Sequence, residues 1–313
     1  MKTIILGAGA LGSILGIKLT KAGYDVTLVD VNPALLAAVK KNQGLYFNNY
    51  SEEILVPVKM SDYDGLDGTA DLIILVTKAM YTSSALNSAK KVIGKDTYVL
   101  TLQNGLGNIE AVSEYVDSDH VLVGTTTEVA DIESPGSISS KGEGHTEFMA
   151  ANGVMNDMVA QINTMFNDSG IRTDISKDIM VTIWEKVAHN CATNTLASVC
   201  RLTNAYTIGT PETAELAANI IREVCSVANA AGIPADGEAV VNRVVKHAKS
   251  GGGYHFPSMA QDVFSHRRTE VSSINGAVYK KAQELGVAVP YTETMYRLVR
   301  CIEEHYDAQY MVG

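Results

Sequence analysis

The sequence predicts an α/β domain built on a parallel sheet, followed by a domain made entirely of helices. Up to residue 175, short apolar runs alternate with helix-periodic segments, which is the pattern of parallel strands and their crossover helices. Beyond that point almost every segment has the helical period. Because 313 residues are long for one hydrophobic core, we expect two domains, at residues 1–175 and 176–313.

The composition excludes several classes of protein. The chain has 46% hydrophobic and 19% charged residues with a net charge of −10, which argues against nucleic acid or an anionic membrane as a partner. Its four cysteines lack C-x-x-C spacing and its seven histidines are scattered, so we expect no metal site and a reducing cytoplasm. The N-terminal apolar run is short for a signal peptide, and no segment reaches the roughly 18 apolar residues of a membrane span. These features predict a soluble cytoplasmic protein.

The first 30 residues contain a glycine-rich turn between a strand and a helix. Residues 2–6 read as a buried strand, residues 13–22 as a helix, and residues 26–29 as a second strand that ends in Asp30. The turn between the first strand and the helix has the G-x-G-x-x-G pattern, formed by Gly7, Ala8, Gly9, Ala10, Leu11 and Gly12. In this setting the pattern is typical of a Rossmann dinucleotide-binding fold.

Each glycine of the turn has a separate structural role. Gly7 permits the tight turn, Gly9 lets the backbone approach a pyrophosphate, and Gly12 lets helix and strand pack closely. The helix N-terminus offers N–H groups to the phosphates. Asp30 is placed to accept hydrogen bonds from the ribose hydroxyls of NAD.

The rest of the first domain continues the alternation. We expect helices at residues 33–41 and 154–167, strands at 71–77, 97–102, 120–125 and 171–175, and short strands within 45–58 and around the turns at 135–136 and 142–144, the latter closing the sheet. Ligands of such sheets bind outside the carboxyl ends of the strands. Lys78 and Asn104 follow two of these ends and are candidate cofactor contacts. The alternatives are a solvated lysine and an Asn-Gly turn.

A polar stripe runs along a predicted helix of the second domain. Helices are expected at residues 179–199, 211–231, 237–250, 258–267, 272–285 and 292–305, with a flexible connection at 251–253. Within the first, Lys186, Asn190 and Asn194 lie within roughly an 80° arc among apolar residues. Buried polar groups need partners, which are either other groups of the core or a bound ligand.

Two further polar residues are candidates in this domain. Ser258 opens a predicted helix and is either an anion-binding group or a plain N-cap. Glu270 is either a ligand-binding carboxylate or the partner of Arg267 or Arg268 in a surface salt bridge.

In these motifs the chain resembles the ketopantoate reductases (2-dehydropantoate 2-reductases) over nearly its whole length. The motifs are G-A-G-A-L-G from Gly7, T-K-A from Thr77, L-Q-N-G-L-G from Leu102, W-E-K-x-x-x-N-x-x-x-N from Trp184, S-M-x-Q-D from Ser258 and R-T-E-V-x-x-I-N-G from Arg268. The resemblance implies a Rossmann domain, an all-helical domain and an active site in the cleft between them. It further implies that Lys186 is the catalytic lysine, that Asn104 lies beside nicotinamide and substrate, and that Lys78 contacts the cofactor. Implied substrate ligands are Asn190, Asn194, Asn204, Ser258 and Glu270.

The chain departs from the family pattern at Asp30-Val31, where members that use NADP commonly carry a basic residue. Some members of the family are instead NAD-dependent D-2-hydroxyacid dehydrogenases that act on branched or aryl 2-keto acids, and Asp30 makes this a competing interpretation. NAD(H) is therefore favoured, with NADP(H) as the alternative. We expect reduction of a bulky 2-keto acid, either ketopantoate or a branched or aryl 2-keto acid, to the (R)-2-hydroxy acid, with Lys186 as general acid and Glu270 anchoring the substrate or orienting Lys186.

Two other functions and two molecular properties stay open at this point. The alternative functions are the NADPH-dependent biosynthetic reductase of pantothenate synthesis and a dinucleotide-binding sensor without turnover. A homodimer is compatible with the sequence. Burial would lower the pKa of Lys186 and a nearby Glu270 would raise it, so the net direction of the shift is also open.

Overall fold

The computed structural model describes residues 1–141 and 144–309, so Gly142 and Glu143 of the predicted turn at 142–144 lie outside the described residues. The chain forms two compact units. The first consists of Met1–Gln103 and Asn108–Ile179, and the second of Asn104–Gly107 and Met180–Gly313. The division thus lies four residues later than the sequence suggests, and a short internal segment of the first half belongs to the helical unit.

The first unit is built on an eight-stranded sheet with the order β12-β11-β8-β7-β6-β1-β2-β5. Its strands are β1 Thr3–Leu6, β2 Val26–Val29, β5 Lys59–Ser61, β6 Leu72–Leu75, β7 Tyr98–Thr101, β8 Val121–Thr126, β11 Thr146–Ala150 and β12 Thr173–Ile175. From β5 to β8 all neighbours are parallel, and β11 joins β8 in antiparallel orientation. The apolar strands β1 and β6 are fully buried, as expected of strands covered on both faces.

The chain reverses its winding direction at β1, which lies between β2 on one side and β6 on the other. Strand β2 follows β1 directly through the first helix, whereas β6 comes much later in the chain. This reversal is the topological switch point at which doubly wound sheets bind ligands. The predicted Rossmann fold is confirmed.

Four shorter strands form a second sheet instead of extending the first. They are β3 Leu45–Asn48, β4 Glu53–Val56, β9 Asp131–Ser134 and β10 Ser137–Ser139, in the order β4-β3-β10-β9. The prediction that the strands around Pro135-Gly136 close the main sheet is therefore wrong. The parallel pairing of β10 with β3 joins segments about 90 residues apart in the sequence, and local sequence patterns carry no information on such a pairing.

The helices of the first unit are α1 Ala10–Lys21, α2 Pro33–Asn42, α3 Thr82–Ser88, α4 Asn108–Ser113 and α5 Asp157–Asp168. Helix α2 begins at the N-cap Asn32, whose side chain accepts hydrogen bonds from the N–H groups of Ala34 and Leu35. Helices α3 and α4 and strand β5 were not predicted from the sequence. Each has at most seven residues, too few for a periodic pattern to stand out.

The regular elements of the second unit, within the residues that the structure describes, are all helices. Its helices are α6 Ile179–Cys200, α7 Asn204–Thr207, α8 Pro211–Ala230, α9 Gly237–Ala248, α10 Ser258–Phe264, α11 Asn275–Leu285 and α12 Pro290–Glu304. The predicted all-helical fold is confirmed, and the connection predicted to be flexible at 251–253 contains a 3-10 turn, Gly251–Tyr254. None of the helices in the described part of the chain has the length and apolar character to cross a membrane.

Helix α6 is held by two neighbouring helices. The Asn275 side-chain N–H at the start of α11 donates to the Cys191 carbonyl oxygen over 3.1 Å, and Asn275 is fully buried. On another face the carboxylate of Glu185 forms an ion pair with Arg243 of α9, 2.5 Å away. These contacts fix the rotation of α6, and with it the direction of its polar stripe.

Candidate active site

The glycine-rich turn connects β1 to α1 with little space for side chains. Gly7 has φ +97°, a left-handed conformation that favours glycine. A Cβ atom on Gly12 would lie 1.8 Å from the Gly7 carbonyl oxygen. The first turn of α1 is thereby pressed against the end of β1, which brings the N–H groups of the helix N-terminus to the switch point of the sheet.

Gly9 differs from its two neighbours, because nothing in the protein requires a glycine there. A Cβ atom on Gly9 would meet no atom within 4 Å, and its φ of −65° is open to any residue. As the N-cap of α1, Gly9 also makes no side-chain cap. A glycine that leaves space beside a helix N-terminus is the arrangement that a pyrophosphate needs, so the turn fits a dinucleotide.

Asp30 is bound to this turn by two hydrogen bonds. Its carboxylate accepts from the Ala8 N–H over 2.8 Å and from the Asn32 N–H over 2.9 Å. The N–H of Ala8 is thus taken by Asp30, and that of Gly7 by the Val29 carbonyl oxygen. The N–H groups left for a phosphate are those at the start of α1, from the N-cap Gly9 to Gly12. The Ala8 N–H therefore supports the turn through Asp30, and contact of Ala8 with the cofactor stays a prediction. The remaining lone pairs of Asp30 can accept hydrogen bonds from ribose hydroxyls.

The ends of β6 and β7 are joined through Gln103, which the sequence analysis did not single out. Its side-chain N–H donates to the Thr77 carbonyl oxygen over 2.8 Å, and its side-chain oxygen accepts from the Thr101 hydroxyl over 3.0 Å. Thr77 also lies against Gly7, where an added Cβ would come within 2.9 Å of the Thr77 N atom. Lys78 follows at once as the N-cap of a 3-10 turn and is half-buried. Gln103 and Thr77 both lie in motifs of the resemblance, which was the available signal.

The polar stripe of α6 is present as predicted by the spacing. Lys186, Asn190 and Asn194 occupy successive turns of one 22-residue helix. Asn190 and Asn194 are only 9% and 5% exposed. The Thr193 hydroxyl donates to the Asn194 side-chain oxygen over 3.3 Å. The two amides therefore lie in a mostly buried environment, on the same helix as the ammonium group.

Two opposing effects act on Lys186, and burial is the larger. Burial lowers the pKa of Lys186 from 10.5 to about 8, while the negative charge of the Glu270 carboxylate opposes the shift. Lys186 is therefore mostly protonated at neutral pH and gives up its proton more readily than an ordinary lysine. The net direction of the shift, open from the sequence, is downward.

Glu270 and Asn104 meet in the second unit. The Asn104 side-chain N–H donates to the Glu270 carboxylate over 3.4 Å. The next residues hold Asn104 in place, because the Leu106 N–H donates to the Ser273 carbonyl oxygen over 2.9 Å. Gly105, with φ +89°, lies so close that an added Cβ would be 2.2 Å from the same oxygen. This packing explains why the segment Asn104–Gly107 belongs to the helical unit.

Arg267, one of the two arginines considered as a salt-bridge partner of Glu270, has a different partner. That guanidinium pairs with Asp262, with 3.0 Å between Nε and Oδ1. Glu270 instead lies near enough to Lys186 to influence its pKa. Lys186, Glu270 and Asn104 are thus brought together, as a proton donor needs when a carboxylate is to orient it.

The remaining predicted residues lie on α7 and α10. Asn204 begins α7 and is 6% exposed, and its side-chain oxygen is buried without a hydrogen-bond partner. Ser258 is the first residue of α10, but Pro257 is the N-cap, so the reading of Ser258 as a plain N-cap is wrong. The Ser258 side chain is exposed to solvent, where it is open to a ligand.

The comparisons with known proteins cover nearly the whole chain. The family "Ketopantoate reductase PanE/ApbA" matches residues 3–153, and "Ketopantoate reductase PanE/ApbA C terminal" matches residues 178–303. The 2-dehydropantoate 2-reductase of Lactococcus lactis is 32% identical over 315 residues, which span 97% of this chain and 98% of the relative.

Solved structures extend this similarity to the fold. D-mandelate dehydrogenase with NADH and anilino(oxo)acetate superposes with a TM-score of 0.94 at 30% identity, over 98% of this chain and 100% of that one. A PanE/ApbA family ketopantoate reductase from Ralstonia eutropha has a TM-score of 0.88 at 26% identity, over 98% of this chain and 100% of that one.

Proposed function

This chain belongs to the ketopantoate reductase family of NAD(P)-dependent oxidoreductases that act on CH–OH groups, and from that premise we propose that it reduces a bulky 2-keto acid to the (R)-2-hydroxy acid with NADH. The observation that carries the proposal is the group formed by Lys186, Glu270 and Asn104. A dinucleotide-binding sensor has no use for a lysine whose pKa is lowered to about 8.

The chemistry assigns a separate task to each group. Nicotinamide, when bound, supplies the hydride that adds to the keto carbon. Lys186 stabilises the negative charge that grows on the carbonyl oxygen and gives that oxygen a proton. With its pKa near 8, the ammonium is present at neutral pH and is acidic enough to release the proton.

The neighbouring groups orient the substrate and the lysine. The amides of Asn190 and Asn194 are neutral donors for the substrate carboxylate, which leaves Lys186 as the cation that faces the carbonyl oxygen. Glu270 opposes the effect of burial on Lys186, so it keeps the lysine charged, and Asn104 orients that carboxylate. Asn204 and Ser258 are proposed as further substrate ligands.

Two substrates fit this mechanism, and each has its own support. The Lactococcus lactis relative is a 2-dehydropantoate 2-reductase, which favours ketopantoate. The solved structure of D-mandelate dehydrogenase with anilino(oxo)acetate favours an aryl 2-keto acid, and its bound NADH supports NADH as the cofactor of this chain.

A spectrophotometric assay tests the proposal. NADH oxidation is followed at fixed enzyme concentration with ketopantoate, 2-oxoisovalerate and phenylglyoxylate, and the product is analysed for its configuration. Acetophenone, which retains the aryl ketone of phenylglyoxylate but lacks its carboxylate, is the matched control and should not be reduced. Oxidation of neither NADH nor NADPH with any of the keto acids would contradict the proposal and favour the sensor.

Replacement of Glu270 should alter both turnover and its pH dependence. Glu270→Gln removes the negative charge that raises the pKa of Lys186, so the decline of kcat/KM at alkaline pH should begin at lower pH than in the unmodified enzyme. Glu270→Ala should also weaken substrate binding, while NADH affinity and Tm change little. If ketopantoate alone is affected, its hydroxyl is the contact.

Glu284→Gln is the matched control for this prediction, because that carboxylate is exposed and pairs with Lys281. It should leave the kinetic constants and the pH profile unchanged. A large fall in Tm of Glu270→Ala with unaltered kinetics would show that Glu270 has a structural role only.

A further inference from the structure

Two tyrosines join the segments that carry the proposed substrate ligands Asn204 and Ser258. Tyr206 lies on α7, two residues after Asn204, and Tyr254 ends the 3-10 turn four residues before Ser258. Their ring centroids are 5.9 Å apart with an interplanar angle of 82°. This is the edge-to-face geometry that aromatic pairs prefer, so the two segments are fixed to one another through this pair.

Both rings are open to solvent despite this contact. Tyr206 is 58% exposed and Tyr254 62% exposed. A single exposed aromatic residue needs no explanation, but two rings in contact, on segments that also carry ligand candidates, form an apolar wall. The flat faces and low side-chain entropy of tyrosine make such a wall suited to binding another flat group.

The polar atoms next to Tyr206 point independently to a ligand. Asn204 and Thr203 are 6% and 7% exposed, and the side-chain oxygen of each is buried without a hydrogen-bond partner. Buried polar groups are nearly always satisfied. Their hydrogen bonding is therefore completed by a bound molecule or by ordered water.

Further ring contacts link the two segments next to the tyrosine pair. Phe256, between Tyr254 and Ser258, packs edge-on against Phe264 with ring centroids 5.1 Å apart. The Arg201 guanidinium lies over the Phe264 ring, 4.7 Å from its centroid. These contacts hold both segments, so the tyrosine rings are placed by packing.

We propose that Tyr206 and Tyr254 form the subsite for the side chain of the 2-keto acid and select an aryl side chain over a small aliphatic one. The proposal rests on the proposed function, because it requires that the chain reduces 2-keto acids. An aryl group gains contact with both rings, whereas an ethyl or methyl group covers little of either. The tyrosines thus determine specificity, and Lys186 performs the chemistry on either substrate.

Kinetics with two substrates and five variants at three tyrosines test this subsite. For Tyr206→Ala and Tyr254→Ala, kcat/KM for phenylglyoxylate should fall about tenfold or more, chiefly through KM, while kcat/KM for 2-oxobutanoate changes less than threefold. Tyr206→Phe and Tyr254→Phe keep the aromatic rings, so these variants should retain the preference for phenylglyoxylate over 2-oxobutanoate. Tyr291→Ala is the matched control, since Tyr291 is also an exposed tyrosine of the second unit and bonds Glu223 only through its backbone N–H.

The possible failures can be told apart. An unmodified enzyme that reduces none of ketopantoate, 2-oxoisovalerate and phenylglyoxylate overturns the proposed function and the subsite together. One that reduces ketopantoate but not phenylglyoxylate overturns the subsite alone. Active alanine variants with an unchanged ratio of the two kcat/KM values overturn the subsite alone. Size-exclusion chromatography adds a third outcome: if the alanine variants dissociate into a smaller species and lose activity on both substrates equally, the rings bind a second copy of the chain and the subsite is wrong.

Discussion

Replacement of Lys186 by alanine is expected to lower kcat by roughly 10²-fold or more, the usual contribution of a general acid. The reason is the position of the lysine, at the head of the polar stripe of α6 and under the influence of the Glu270 carboxylate. Without an ammonium group, the negative charge on the carbonyl oxygen is stabilised by neutral amides alone. NADH affinity should stay nearly unchanged, because the glycine-rich turn belongs to the other compact unit.

Two controls separate this chemical role from a structural one. Lys281→Ala removes an exposed lysine of the same unit that pairs with Glu284, and it should have no effect on kcat. Lys186→Met keeps the volume of the side chain, so a loss of kcat equal to that of Lys186→Ala excludes a packing effect. If Lys186→Ala retained near wild-type kcat, Lys186 would be a structural residue.

The second prediction with a large expected effect concerns the preference for NADH over NADPH. We expect kcat/KM for NADH to exceed that for NADPH by roughly 10²-fold, about 2.7 kcal/mol. Asp30 would face the 2′-phosphate of NADPH, which carries nearly two negative charges. Two like charges about 4 Å apart repel by about 1 kcal/mol in water and by several times that in a partly dry site. Lys78 offsets part of this repulsion if it reaches the phosphate.

The structure indicates which variant tests the preference most cleanly. Asp30→Ala should narrow the gap, but it also removes the acceptor of the Ala8 N–H, so it disturbs the turn itself. Val31 is 72% exposed, and Val31→Arg adds a cation without loss of a contact in the core. Val31→Gln, similar in length but neutral, is the matched control and should leave the ratio unchanged. Equal or better turnover with NADPH in the unmodified protein would contradict the argument and restore the biosynthetic NADPH-dependent reductase.

The features that the sequence predicted correctly have local causes. The glycine-rich turn could be recognised because Gly7 is required by its own positive φ and Gly12 by the nearby Gly7 carbonyl oxygen. The extent of α6 and the spacing of its polar stripe follow from the helical period alone. Both features depend on residues that lie close together in the sequence, so a single sequence carries enough information to find them.

The features that the sequence did not predict depend on contacts between distant segments. Asn104 was read as part of the first domain, because only its packing on residues 270–273 reveals the other assignment. The second sheet depends on the pairing of β10 with β3, and no local pattern encodes this pairing. The direction of the pKa shift of Lys186 is set by a balance between burial and one carboxylate, and this balance is a property of the folded chain.

The pH dependence of kcat/KM for keto acid reduction by the unmodified enzyme tests the central claim most directly. The pKa of Lys186 is lowered to about 8, and the reduction needs the protonated form. The profile should therefore be flat below about pH 8 and fall by about tenfold per pH unit above it, because kcat/KM reports the groups of the enzyme before it binds the keto acid. A profile that stays flat to pH 10, or that rises through pH 8, would contradict the assignment of Lys186 as the proton donor.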